Sequence, residues 1–285
     1  MKWQGRRVSR NIERRSGGGG GRAVGGIGGI AGIVVLLIGW YFGVDVSALV
    51  GSGGTSTGSE QVDRGPIDAA DPELEQFVGV VLADTEEVWA KIFAAQVDEP
   101  YAPPRLVLFD GITQSACGTA DAATGPFYCP ANAEIFLDTA FFRTLRDQLG
   151  AGGDFAAAYV IAHEVAHHVQ NELGILGQVN RMRGQVDAAQ SNALSVRTEL
   201  QADCYAGVWA QGAQAMFGTL EPGDIDEAMN AAARIGDDAL QRGAGQAVRP
   251  DSFTHGSSAQ RQRWFATGYE SGDLTACDTF SVDRL

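Results

Sequence analysis

DFAAAYVIAHEVAHHVQNELG, residues 154–174, contains His163-Glu164-x-x-His167, and the rest of the chain is read outward from it. On an α-helix, positions four apart share a face, so His163 and His167 can offer their imidazoles to one ion. Zn²⁺ accepts neutral imidazole nitrogen. Glu164, one residue past the first ligand, projects beside the metal, where it can take a proton from water. The helix is legible without the motif: Phe155, Tyr159, Ala162, Ala166, Val169 and Leu173 form an apolar stripe, Asp154 suits the N-cap and Gly174 suits C′. His168 points about 100° away from His167, which gives it a packing role and no place on the metal.

A catalytic zinc usually has three protein ligands and an open position. The extended HExxHxxGxxH pattern is absent, because Gln170 and Leu173 stand where its glycine and last histidine would be. The third ligand therefore comes from elsewhere. A long helical pattern, about 185–217, carries Glu199-Leu200-Gln201-Ala202-Asp203. Glu199 is the expected ligand, and Asp203, one turn later on the same face, is expected to accept the second ring N–H of His163 and fix its tautomer. A solvated helix face is the competing reading, but the small and apolar neighbours (Leu200, Ala202, Cys204, Ala206, Gly207, Val208, Trp209) suit a buried helix, where lone carboxylates are costly. Glu172 follows too closely after His167 to reach the same ion easily.

The 285 residues carry a net charge of −14, unevenly placed. Residues 1–22 hold seven Lys/Arg against one acid, leaving 14 basic and 34 acidic residues beyond. So acidic a body argues against a nucleic-acid partner. Residues 1–22 read as a basic cytoplasmic tail. Residues 23–44 are uncharged and as a helix would span about 33 Å, enough for a hydrocarbon core of about 30 Å. The reading is a single transmembrane helix with the amino terminus in the cytoplasm and the body periplasmic or extracellular at a bacterial cell membrane, Trp40 and Tyr41 lying at the outer interface. A cleaved signal peptide ending near Val46-Ser47-Ala48 is the alternative. Residues 45–70, rich in Gly, Ser and Thr, read as a flexible linker, and residues 71–285 as the folded domain.

That domain opens with Asp71 as cap, Pro72 at the first helical position and a 3.6-period apolar pattern to Phe93. RLVLF (105–109) and EIFL (134–137) read as strands. Four cysteines allow three pairings; proximity favours Cys117 with Cys129 and Cys204 with Cys277, in an oxidising compartment. Cysteine ligation of zinc is disfavoured by the absence of C-x-x-C spacing. The fold class expected is α+β and predominantly helical.

HEVAHHVQ (163–170), ELQADCYAGVWA (199–210), SFTHGSSAQRQRWF (252–265) and the closing CDTF (277–280) together resemble the bacterial family of neutral zinc metallopeptidases. The basic amino terminus and the apolar stretch after it match as well. The resemblance implies a zincin-like, gluzincin-type domain binding one Zn²⁺ per chain through His163, His167 and Glu199, with Glu164 as catalytic base and a protein or peptide as substrate. By analogy with zincin edge strands, EIFL is expected at a cleft edge, where an extended substrate could pair with it. His255 resembles the late histidine of membrane-associated zinc peptidases, which assists the tetrahedral intermediate; a capping or surface histidine is the competing reading, and Arg261 is a weaker candidate still. A membrane-anchored zinc-binding or chaperone-like module without proteolysis is the alternative function.

Overall fold

The computed structural model describes residues 1–16, 72–97, 99–121 and 124–285. The expected membrane helix (23–44), linker (45–70) and Asp71 cap lie outside the described residues. Among the described residues no helix is long and apolar enough to cross a membrane. The architecture is α+β and predominantly helical, as the periodicity predicts.

A four-stranded sheet packs against helices. Its strands are β1 (Ile12–Ser16), β2 (Arg105–Asp110), β6 (Glu134–Asp138) and β5 (Phe127–Cys129), in the order β1-β2-β6-β5. β1, β2 and β6 run parallel, and β5 is antiparallel to β6. β3 (Thr113–Ser115) and β4 (Gly118–Ala120) form a separate hairpin. RLVLF and EIFL are strands, but EIFL is not at an edge. β6 pairs with β2 on one side and β5 on the other, so its backbone groups are committed and the expected substrate pairing there is withdrawn. Its inward residues Ile135, Phe136 and Leu137 are almost fully buried, which is why it reads as a continuous apolar run.

The helices are α1 (Pro72–Ile92), α2 (Thr139–Asp147), α3 (Asp154–Glu172), α4 (Ile175–Arg183), α5 (Ala188–Phe217), α6 (Asp224–Arg234), α7 (Asp237–Gly243) and α8 (Ser258–Ser271). α3 is the central element. Every residue from Phe155 to Gln170 is buried, more than the single stripe implies, because α1, α5, α6 and β5 surround it. Phe155 stacks on Trp209 of α5 at 5.9 Å, and burying a side chain of that size contributes about 1.5–3 kcal/mol. Asp154 is not the N-cap. Gly153 is, at φ 113°, and Glu227 of α6 does the capping by accepting the Phe155 N–H at 3.0 Å. A side chain at residue 153 would overlap the Glu227 carboxylate. Gly174, left-handed at φ 74°, stands at C′ as expected.

α8 lies against α5 at backbone distance, since Gly207 and Gly268 face the opposing main chain and a Cβ on either would overlap it. The crossing brings Arg261 of α8 onto Asp203 of α5. Disulfides join Cys117 to Cys129 and Cys204 to Cys277, the pairing proximity favours. The second ties α5 to the turn at Leu274–Cys277.

Residues 1–16 do not form a free tail. They continue the sheet as β1 and bury Trp3 edge-on against Phe77. The polar, arginine-rich sequence has no apolar period of its own and is ordered by partners on α1 and β2. A second acidic group, Asp154, Asp224 and Glu227, is also occupied by this segment, the Met1 α-ammonium lying 2.6 Å from Asp154 and 3.3 Å from Asp224.

Candidate metal centre

α3 and α5 cross with His163, His167 and Glu199 at the contact, all buried. His163 Nε2 is 3.1 Å from Glu199 Oε2, and His167 Nε2 is 3.5 Å from Glu199 Oε1. The three donor atoms lie within 4.8 Å of one another. Glu172, the rejected ligand, is exposed.

The outer nitrogen of each ring is already engaged. His163 Nδ1 is 2.9 Å from Asp203 Oδ1, so the acceptor expected one turn after Glu199 is in place. Asp203, with no exposure, also receives Tyr159 Oη at 2.5 Å and Arg261 Nε and Nη2 at 2.8 and 2.9 Å. Burial alone would raise the Asp203 pKa, but Arg261 and His163 hold it below the usual carboxylate range. Arg261 is therefore the buried counter-ion of this carboxylate.

His167 is held by a residue that sequence reasoning passed over. Gln170 Oε1 lies 2.8 Å from His167 Nδ1, and Gln170 Nε2 donates to the Thr198 carbonyl at 2.8 Å and to Gln201 Oε1 at 3.0 Å. The carbonyl can only accept, which fixes the direction of the amide, so His167 Nδ1 carries the proton and Nε2 carries the lone pair. Gln170 thus sets a tautomer and ties α3 to the residue preceding Glu199. Outer partners of this kind are worth about 10–100-fold in metal affinity. Gln170→Leu should accordingly weaken zinc binding by about that factor, read by chelator competition, with the His167 Hδ1 resonance of the metal-free protein lost or shifted. Unchanged affinity would remove Gln170 from this role. Its signal in the sequence is i, i+3 spacing from His167, one turn along the same helix.

Two inward imidazole nitrogens and one carboxylate are the donor types zinc takes, and their outer atoms are committed elsewhere. The electrostatics agree. Burial lowers the His163 pKa, but Asp203 and Glu199 outweigh it and raise it to about 9, so the spot between rings and carboxylate attracts positive charge. The donor set fits the metal.

Glu164 is buried beside the ligands, 8% exposed. Burial pushes its pKa up, against the lowering charges of His167 and His163. His255 precedes α8 and is fixed by Asp237, another residue not foreseen. Asp237 Oδ2 accepts the backbone N–H groups of Thr254, His255 and Gly256 at 2.7, 2.7 and 3.0 Å, while Oδ1 lies 3.3 Å from His255 Nδ1. Burial lowers the His255 pKa, but Asp237 and the charge of Glu199 raise it on balance, favouring the cationic ring. His168 is held away from the centre by Tyr128 Oη at 3.1 Å and the Ala102 carbonyl at 2.6 Å, with burial keeping it neutral.

Comparison with known proteins places this geometry in a lineage. The chain is 45% identical to the uncharacterized protein YpfJ of Escherichia coli over 291 residues, covering 98% of this chain and 99% of that one. It is 48% identical over 195 residues to an uncharacterized protein of Mycobacterium tuberculosis, covering 65% of each. No solved structure matches. The family model described as "putative neutral zinc metallopeptidase" matches residues 1–280, and the chain belongs to that family.

Proposed function

We propose that the protein is a zinc-dependent endopeptidase with a zincin-like domain of the gluzincin type. The observation that carries the reading is the convergence of both Nε2 atoms and the Glu199 carboxylate, with each outer nitrogen held and Glu164 buried alongside. His163, His167 and Glu199 would hold one zinc ion, which when bound supplies Lewis acidity to water and to the scissile carbonyl. Glu164 takes the proton of the attacking water and delivers it to the leaving amine. His255, its ring and backbone held by Asp237, offers an N–H to the oxyanion of the tetrahedral intermediate. Asp203 and Gln170 keep the ligand rings in the tautomer that presents Nε2.

β5, not β6, ends the sheet on this side, and it carries Tyr128 beside the metal-binding helix. The two disulfides support an extracytoplasmic compartment of a bacterium, and residues 23–44 supply the stretch by which the protein is attached to the cell membrane. The substrate class is protein or peptide, and the acidic composition of the body argues against a nucleic-acid partner.

The test is removal and return of metal. Purified full chain should hydrolyse internal bonds in an unstructured peptide library, lose that activity on chelation, and recover it with one equivalent of Zn²⁺. Metal that binds stoichiometrically while the library stays intact would favour the zinc-binding module without proteolysis.

A further inference from the structure

We infer that residues 1–16 occupy the same side of any membrane as the metal-centre domain. The inference is independent of the peptidase reading. It starts from β1, whose backbone pairs in parallel with β2 from Ile12 opposite Leu106 to Ser16 opposite Asp110, and from Leu106 N–H, which donates to the Asn11 carbonyl at 2.8 Å. Such contacts cannot be made across about 30 Å of hydrocarbon. A chain that crosses a bilayer once puts its two flanks on opposite faces, so a single crossing between Ser16 and Pro72 is incompatible with the sheet.

The side chains point the same way. Four of the arginines that look like a cytoplasmic retention signal have an acid on the domain. Arg6 Nη1 is 2.5 Å from Asp84, Arg7 reaches Glu86 and Glu87 at 3.0 and 2.6 Å, Arg14 pairs with Glu75, and Arg15 lies 3.7 Å from Glu134. Topology is biased by basic residues facing the cytoplasm, whereas here those charges are matched to α1 and the sheet. Arg6 also lies 4.3 Å over the Phe217 ring. The fit is shaped as well as charged: Ser9 N–H donates to the Gly79 carbonyl at 2.9 Å, and a side chain on Gly79 would overlap Val8. Trp3 is 6% exposed, its ring 5.5 Å from Phe77. The family match begins at residue 1, so the segment is part of the shared unit. If the two disulfides place the domain in an oxidising compartment, the amino-terminal segment is there too.

The experiment uses the full chain in bacterial membranes. Arg10→Cys and Arg249→Cys, both at exposed positions, are made separately and exposed in intact spheroplasts to a membrane-impermeant maleimide. The expected result is that the two are labelled together or protected together; labelling of one and protection of the other overturns the inference. In a second arm, Arg14→Cys with Glu75→Cys is oxidised in a chain carrying a specific protease site within residues 51–65. After cleavage the two fragments should stay joined until reduced. Fragments that separate without reductant overturn the pairing, and a bond formed only between two copies overturns the assignment of the segment to its own chain.

Discussion

Glu164→Gln should leave zinc content unchanged and lower kcat/KM for peptide cleavage by about 10²–10⁴-fold, the range that a positioned proton carrier supplies. Glutamine keeps the size and the hydrogen-bonding length of the side chain, so the buried position is not opened. What it loses is the capacity to take and return a proton. At about 1.36 kcal/mol per decade the loss is about 2.7–5.4 kcal/mol of transition-state stabilisation. The structure makes Glu164 suited to the task because burial raises its pKa while His163 and His167 limit the rise. Metal analysis beside steady-state kinetics reads both halves of the prediction. Loss of zinc along with activity would make Glu164 a structural support of the ligands, and turnover within a few-fold of the native chain would remove it from the proton path.

What was legible in the sequence and what was not divide along a physical line. His163, Glu164, His167, Glu199 and Asp203 were legible because i, i+4 spacing on a helix is a local geometric fact, and the apolar setting of residues 200–209 gives away their burial. The two main strands were legible for the same local reason. The role of β6 as an interior strand was not, since pairing on both sides depends on β2 and on β5, a three-residue strand with too little sequence to announce itself. The cap of α3 was misassigned because Glu227, 72 residues away, supplies it. Asp237 escaped notice for the same reason, as its partners are Thr254, His255 and Gly256. The packing of residues 1–16 on the domain was not legible either. Its arginines match acids some 60–120 residues distant, which no local pattern reveals.

Asp203→Ala should destabilise the domain by about 3–5 kcal/mol, the cost of leaving one partner of a buried ion pair without its counter-charge. Arg261 is 2% exposed and loses both of its bonds to the carboxylate, while Tyr159 and His163 lose an acceptor. Zinc affinity should fall as well, by about 10–100-fold, because nothing then holds the proton on His163 Nδ1. The folded pKa of Asp203 lies below its ordinary 3.8, so its stabilisation is complete above that value and is lost as the pH falls towards the lower folded one. The gap between native and variant chains should therefore be full at neutral pH and narrow only below about 4. A double change separates the two consequences. Asp203→Ala with Arg261→Met removes both buried charges and should regain most of the lost stability, yet leave zinc binding weak, since His163 still has no acceptor. Denaturant unfolding and chelator competition on the same three proteins decide it. Recovery of zinc affinity in the double variant would show that Asp203 acts only by neutralising Arg261, and that the His163 tautomer is set by something else.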